Sequence, residues 1–380
     1  MKYYFYKNPF FKVYAEVEAG RVRMKTAGLA APLLEPMVSE MLDIFDDVKP
    51  SKIEDNRLIF STWMPPIPST AFDRLVASQI RAIRGKMVPE QVTISVTEEC
   101  PNKCIHCALP DTKNKANLAP IMVKDVIEQS LGMGTTLIIF DGGEPLVYDG
   151  LEDLISYVDT NRAVTMMFTS GVGLTAERAM SLKKAGLYAV SVSLDSANEE
   201  GHDIMRGVSG VYRDAISAIK NCLTAGMLVN IYVVISPRNI DELDDFYTLA
   251  RELGVHELSF YEIVPTGRWI NHETEILSSK DHEKLDIFVK SADETEGPRV
   301  FSIPHVMKTT GCFAGRKWLH VTPEGNILPC ACIPITYGNV HSDSLKNVWK
   351  TIRKDPVYNA ESCLMRSREF RQSHLRDVKK

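Results

Sequence analysis

From Gln91 to Pro265 short apolar runs alternate with longer amphipathic segments. The runs Val92–Val96, Thr136–Phe140, Val164–Thr169, Ala189–Leu194, Val229–Ile235 and Leu258–Ile263 predict strands. Between them Val123–Leu131, Leu151–Val158, Ala176–Ala185, Asp214–Ala225 and Ile240–Leu253 carry apolar residues at helical spacing. Several of these helices run into glycine, as in Lys184-Ala-Gly186, Thr224-Ala-Gly226 and Glu252-Leu-Gly254. Glycine just past the last turn is the expected C-terminal cap. Strands alternating with helices imply a parallel sheet, either an open doubly wound sheet or a partial barrel. Ligands of such sheets sit at the carboxyl ends of the strands.

The flanks follow other rhythms. Phe11-Lys-Val-Tyr-Ala-Glu-Val alternates, turns at Gly20 and resumes at Arg21-Val-Arg-Met, which reads as a hairpin. Pro36 to Asp46 has helical spacing through Met37, Met41, Leu42, Ile44 and Phe45, and Arg57 to Trp63 reads as a strand. Met64-Pro-Pro-Ile-Pro68 is a stiff linker, followed by a helix from about Thr70 to Arg84. Ile270 to about Lys308 is charged and less regular, a bridge with one helix at Asp281–Ser291. The expected division is an N-terminal α+β appendage (1–88), a core (89–308) and a C-terminal module (309–380), whose last stretch, Arg366 to Lys380, is charged and expected to be exposed.

Composition narrows the classes. The chain has 380 residues, 44% hydrophobic and 24% charged, as a globular protein does. A net charge of -5 argues against general nucleic-acid binding. No apolar run approaches the roughly 18 residues of a membrane span. The start, Met1-Lys-Tyr-Tyr-Phe-Tyr, lacks the apolar core of a signal peptide, so the expected location is the cytoplasm.

Cysteine changes the picture most. Of eight cysteines, three lie in Cys100-Pro-Asn-Lys-Cys104-Ile-His106-Cys107, directly after the first core strand. Four more, Cys312, Cys330, Cys332 and Cys363, lie near the C-terminus. Cys222 sits mid-helix and reads as a buried free thiol. Two clusters in a chain of cytosolic character point to metal or cluster binding rather than disulfides. Three thiols in one short loop fit three irons of a four-iron cubane, which normally takes four cysteines, so one iron stays open to a small molecule.

With these residues in place the chain resembles the radical S-adenosylmethionine superfamily over about residues 91–268. Asp141-Gly142-Gly143-Glu144-Pro145 after strand two is similar to that family's GGEP motif; taken alone it is a turn. Ser191-Val-Ser193-Leu-Asp195 and Met205-Arg206-Gly207 resemble its S-x-D and R-G elements, and Pro265-Thr-Gly267-Arg268 its P-x-G-R turn. The resemblance implies a [4Fe-4S] cluster on Cys100, Cys104 and Cys107, with S-adenosylmethionine on the open iron. It implies that His106 lies near the adenine, and that Gly142, Gly143 and Glu144 hold the amino group. It further implies that Ser193 binds ribose or carboxylate, that Arg206 binds the carboxylate, and that backbone from Val233 to Ser236 meets the adenine. Ser170, in Thr169-Ser-Gly171, stands where the family often has Asn. A capping Asp195 and an exposed Arg206 are the plainer alternative. Tyr261 and Glu262, ending strand six, are acid/base candidates.

Cys312, the run Gly325-Asn-Ile-Leu-Pro-Cys330, and Gly338-Asn339 and Trp349 beyond it resemble the opening of SPASM or twitch domains, which hold auxiliary iron–sulfur clusters. Fewer cysteines remain than a two-cluster domain needs. The resemblance therefore implies one auxiliary cluster on Cys312, Cys330, Cys363 and Cys332. Strand geometry would turn Cys330 and Cys332 to one side. Four buried structural thiols are the alternative.

The implied fold is α/β: a partial (β/α)6 TIM-like barrel with a small α+β N-terminal appendage and a C-terminal iron–sulfur domain. The implied activity is reductive cleavage of S-adenosylmethionine to a 5'-deoxyadenosyl radical that takes hydrogen from a C–H bond, fed by a donor such as ferredoxin or flavodoxin. A peptide or protein is the first substrate class, gripped by the N-terminal module; a haem-pathway tetrapyrrole is the second. An iron–sulfur electron carrier is the competing non-enzyme, but a carrier needs no S-adenosylmethionine pocket.

Overall fold

The computed structural model describes residues 1–54, 56–109 and 113–375. The side chains of Met37, Glu40 and Met41 also lie outside the described residues, and with them part of the apolar stripe read between Pro36 and Asp46.

The chain opens with a three-stranded antiparallel sheet, β1 (Tyr3–Lys7), β2 (Lys12–Glu18) and β3 (Arg21–Ala27), followed by helix α1 (Ala31–Asp43). The β2–β3 hairpin is the predicted one, turning through Ala19 and Gly20. α1 begins at Ala31 rather than Pro36, because Pro32 supplies a favourable first turn for an earlier start. The short pair β4 (Lys52–Glu54) and β5 (Arg57–Ile59) comes next, then α2 (Thr70–Ile83), capped by Ser69 Oγ accepting from Phe72 N at 3.0 Å. Phe5 of β1 meets Phe45 and Phe72 edge-on, at 5.3 and 5.2 Å between ring centres, and closes a small separate core.

The central sheet is built from β6 (Gln91–Thr97), α3 (Pro120–Met133), β7 (Leu137–Gly142), α4 (Leu151–Tyr157), β8 (Val164–Thr169), α5 (Ala176–Ala185), β9 (Ala189–Ser193), α6 (Glu199–Arg206), α7 (Val211–Thr224), β10 (Leu228–Ile235), α8 (Leu243–Leu253), β11 (Glu257–Glu262), α9 (Ser279–Asp293) and β12 (Arg299–Ser302). Then follow α10 (Ile303–Thr310), β13 (Trp318–Val321), β14 (Asn326–Leu328), β15 (Gly338–Asn339), α11 (Leu345–Lys354) and α12 (Arg368–His374). The strand order is β12-β11-β10-β9-β8-β7-β6-β13-β14-β15, with β6 through β12 all parallel. The six predicted strands stand in chain order across it. Gly186 and Gly254 cap α5 and α8 in the left-handed conformation, as their positions predict.

Three features differ from the sequence reading. A seventh parallel strand, β12, lies in the segment read as a bridge; its four residues are too few for periodicity to show. β13 of the C-terminal segment joins the free edge of β6 in parallel, with Trp318 opposite Gln91 and His320 opposite Thr93. The C-terminal stretch from Arg366 is not free surface as far as His374. Phe370 and Leu375 are buried, and buried Arg371 donates to the carbonyls of Met365 and Arg366. Arg371 Nη2 also meets Glu273 Oε2 at 3.3 Å, so both its donors and its charge are answered, and a charged sequence does not guarantee exposure.

The N-terminal segment also reaches the barrel. Regular pairing of β5 stops at Ile59 because Ser61 and Thr62 turn to the buried Glu257 carboxylate at the start of β11. Ser51 Oγ, Ser61 Oγ and Thr62 N donate to its Oε2 at 2.5, 2.9 and 3.0 Å. Trp63 then packs near Phe168, Tyr261 and Phe301. Ile59 joins Leu137, Ile139, Val164 and Met166 in one buried cluster beneath the sheet.

Candidate active site

The cysteine loop leaves the carboxyl end of β6, and the later motifs pack onto its backbone in turn. Gly143 N donates to Thr97 O at 2.6 Å and Glu144 N to Glu99 O at 2.8 Å. Lys103 N donates to Arg206 O at 2.9 Å and Ile105 N to Met205 O at 3.1 Å. Arg268 N donates to Cys107 O at 2.9 Å, and its Nη1 to Cys104 O at 3.1 Å. A Cβ on Gly143 would stand on the Glu99 carbonyl, and one on Gly267 on the Cys107 carbonyl. Gly143 and Gly267 thus make room for the loop backbone, and Gly142 for the Thr97 carbonyl at the end of β6.

Glu144 is 1% exposed and its carboxylate is fully engaged. Oε1 accepts from Thr169 Oγ1 at 2.7 Å, and Oε2 from Ser170 N and Oγ at 2.8 and 2.5 Å. Leu146 N adds a fourth donor at 3.3 Å. Glu144 therefore ties the end of β8 to the turn after β7 and does not line the cavity, whereas Gly142, Gly143 and Ser170 do.

Arg206 ends α6 and is buried, not exposed. Its Nη2 lies 2.8 Å from Asp195 Oδ2, and its Nη1 3.6 Å from Cys104 Sγ. His106 Nε2 lies 3.5 Å from the same Asp195 oxygen, and burial lowers the His106 pKa so that the ring is neutral near pH 7. Asp195 also accepts from Val234 N at 3.2 Å. Burial works to raise the Asp195 pKa, but Arg206, His106 and His202 together hold it below the usual carboxylate range. Asp195 is thus more than a local cap. It joins the end of β10 at Val234 to the cysteine loop through His106 and Arg206.

These elements border one cavity of about 490 Å³ at the carboxyl ends of the strands. Cys100, Cys104, Cys107, His106, Ser193 and Val234 reach it from one side, Cys330 and Cys332 from another. Its apolar wall is aromatic: Trp63, Phe168, Tyr232, Tyr261 and Trp318. Tyr261 packs on Tyr232 at 4.6 Å and stacks on Trp318 at 6.2 Å between ring centres. Glu262 lines the cavity too, but its Oε1 is in contact with Arg366 Nη1 and 3.2 Å from His282 Nε2. That carboxylate anchors the segment after Cys363, which leaves it little freedom as an acid or base.

The four C-terminal cysteines converge in two hydrogen-bonded pairs. The Cys363 thiol bonds to Cys312 and lowers the Cys312 pKa below the ordinary thiol value. The thiol of Cys330 bonds to that of Cys332, which together with burial raises the Cys330 pKa well above the ordinary thiol value. Cys330 also senses the charge of Cys312. Cys330-Ala-Cys332-Ile333 is a turn closed by Ile333 N to Cys330 O at 3.1 Å, not an extended strand. The turn, rather than strand alternation, brings both thiols together. Thr266 Oγ1 donates to Cys332 O at 2.9 Å, so the Pro265–Arg268 turn touches both cysteine groups. Cys222 is fully buried in α7, and burial raises its pKa to about 12.

Sequence reasoning passed over Trp63, Tyr232, Trp318 and His320 as cavity residues, and read Asp141 only as part of a turn. The available signal was polar or large side chains at inward positions of buried strands.

Two groups of thiols, one beside Arg206 and Arg268 and one paired within itself, are donor sets that suit iron–sulfur clusters. Residues 94–250 match the radical SAM superfamily, and residues 312–374 match the SPASM iron–sulfur cluster-binding domain. The chain belongs to the radical SAM superfamily and carries a SPASM module: it is an enzyme that uses S-adenosylmethionine, a [4Fe-4S] cluster and auxiliary iron–sulfur binding. It is 27% identical over 289 residues to the AdoMet-dependent heme synthase of Methanosarcina barkeri, covering 69% of this chain and 82% of that protein. It is 29% identical over 282 residues to the mycofactocin maturase MftC of Mycobacterium tuberculosis, covering 70% and 72%. Its fold is similar to that of Streptococcus suis SuiB bound to the precursor peptide SuiA, with a TM-score of 0.60, 15% identity, and 94% and 90% of the two chains covered. Among the described residues no helix is long and apolar enough to cross a membrane.

Proposed function

We propose that the chain activates a C–H bond of a peptide or protein, with Cys100, Cys104 and Cys107 holding the cluster that binds S-adenosylmethionine. Cys312, Cys330, Cys332 and Cys363 hold the auxiliary cluster in this reading. The loaded site supplies a 5'-deoxyadenosyl radical, which takes hydrogen from the substrate. The chain's own residues bind and orient. Gly142, Gly143 and Ser170 take the amino end of S-adenosylmethionine, with Glu144 positioning them from behind. His106 and the Val234 backbone flank the adenine, and Ser193 faces the ribose or carboxylate. Arg206, already paired with Asp195, offers its remaining donor capacity to the carboxylate and holds the Cys104 side of the loop. The aromatic wall keeps water from the reacting carbon. A cytoplasmic setting, with a ferredoxin or flavodoxin as donor, suits two sets of reduced thiols.

The observation that carries the peptide reading is the N-terminal sheet. β1 pairs only with β2, so its outer edge has no strand partner among the described residues. Phe10, Leu29 and Leu33 are exposed in the same module. An extended peptide can bind such an edge as an added strand. Similarity to a maturase over 70% of the chain supports the same reading. The competing class is a tetrapyrrole, favoured by the aromatic wall and by the heme synthase relative. Hydrogen exchange on the full chain, with synthetic precursor peptides or with a haem precursor added, separates the two. Protection of β1 or β3 amides by peptide supports the proposal. Formation of 5'-deoxyadenosine stimulated by the tetrapyrrole alone, with no protection in the N-terminal sheet, overturns it.

A further inference from the structure

One polar group facing the cavity has no part in holding clusters or S-adenosylmethionine. It comes from three adjacent strands. Ser95 on β6 donates through Oγ to Asp141 Oδ1 on β7 at 2.6 Å, and Ser95 Oγ lies 3.3 Å from His320 Nε2 on β13. Asp141 and His320 both line the cavity. His320 is 4% exposed, and its Nδ1 has no hydrogen-bond partner among the described residues.

We propose that Asp141, held by Ser95, whose hydroxyl in turn meets His320, is the substrate-binding site for an amine or another N–H donor.

A serine hydroxyl has one hydrogen, and an ionised carboxylate only accepts. With Ser95 donating to Asp141, its oxygen must accept from His320, which assigns the ring proton to Nε2 and leaves Nδ1 a bare acceptor. Burial pushes His320 down to about 4, so the ring is neutral at physiological pH and adds no positive charge. No charged side chain acts on Asp141 among the described residues, and burial pushes its carboxyl up to about 7 against the lowering effect of Ser95. The site is therefore rich in acceptors and lacks a counter-charge, which an ammonium or N–H group would supply. Trp318, two residues from His320 on β13, lines the same cavity and continues it into the aromatic wall. Aromatic faces beside a carboxylate favour a cation or an N–H edge.

Other charged or titratable groups border the cavity. They are Glu98, Lys103, Lys115, His106 and the three thiols on the loop after β6, Arg206, Arg268, Tyr232, Tyr261, Cys330 and Cys332, with Glu262 tied to Arg366. None of them is paired with Asp141, so an added cation acts on Asp141 through the open cavity.

The proposal rests on this cavity being the substrate chamber but not on the substrate being a peptide, so its test uses neither a peptide nor turnover. In the full-length, cluster-loaded protein, infrared difference spectroscopy follows the carboxyl titrating near pH 7. Methylammonium is the probe and acetate the control. Methylammonium is expected to lower the midpoint by one pH unit or more, a tenfold change in proton affinity, and acetate is expected to leave it in place. Asp141→Asn should remove the signal. Ser95→Ala should raise the midpoint, because it deletes the one donor to the ionised form; it also serves if the first variant does not fold. A midpoint unmoved by methylammonium, or moved equally by acetate, overturns the proposal.

Discussion

The guanidinium of Arg206 meets the fully buried Asp195 carboxylate at 2.8 Å. Removing one partner of such a pair leaves a buried charge without compensation, at a cost of about 3–5 kcal/mol. Arg206→Met is therefore expected to lower the urea midpoint strongly at pH 7. The pH dependence carries a sign. The Asp195 pKa is depressed in the fold, so its contribution is present above the unfolded value, about 3.9, and is lost as pH falls through the folded value. In Arg206→Met the largest opposition to burial is gone and only His106, His202 and the Val234 N–H still favour the ionised form, so the pKa moves up and the loss of stability on the acid side should shrink. Urea midpoints across a pH series distinguish the two slopes.

Gly143→Ala and Gly267→Ala test the clamps on the cysteine loop. In each variant the new Cβ meets a carbonyl of the loop, Glu99 or Cys107, and backbone must shift. Both are expected to lower iron retained by the first cluster after anaerobic reconstitution, and Gly226→Ala, where nothing lies within 4 Å, is the control for a positive-φ glycine without a clamp. Equal iron in all three variants would remove the clamps from the account.

Iron counting tests the cysteine assignments. Two cubanes hold about eight irons per chain. Cys104→Ala and Cys330→Ala should each lose about four, from different clusters, while Cys222→Ala should lose none. Loss of both clusters from either single variant would mean that the two sites assemble as one unit.

Trp63 and Ser61 test the plug beneath the barrel. Trp63→Ala is expected to cost about 3 kcal/mol, at the lower end for a large aromatic because the ring is only part-buried. Ser61→Ala removes a donor to the buried Glu257 carboxylate at 2.9 Å and should cost about 1–3 kcal/mol. Both are read from urea denaturation of the full chain. A change confined to residues 1–60, with the barrel transition unmoved, would separate the N-terminal module from the core.

The six core strands, their glycine-capped helices and the cysteine loop were legible in the sequence because each depends on local order. Apolar runs repeat within one element, and C-x3-C-x2-C lies within one turn of chain. Cys312, Cys330, Cys332 and Cys363 were legible as a group by residue type alone, although the turn at Cys330–Cys332 was not. Glu144 was found, but its carboxylate faces Thr169 and Ser170 rather than the cavity. A short motif names a residue without saying which way it points.

What required the folded chain is all non-local. β13 joins β6 across more than two hundred residues of sequence, and that register alone brings His320 to Ser95, the residue that holds Asp141. Trp63 reaches the cavity only because Ser61 and Thr62 satisfy Glu257, a carboxylate far along the chain. Periodicity reports which face of an element is apolar, since that is decided within a few residues. Which elements meet is decided by burial and hydrogen bonding summed over the whole sheet. The ligand chemistry therefore stands in the residue order, while the chamber in which it acts exists only once the strands are joined.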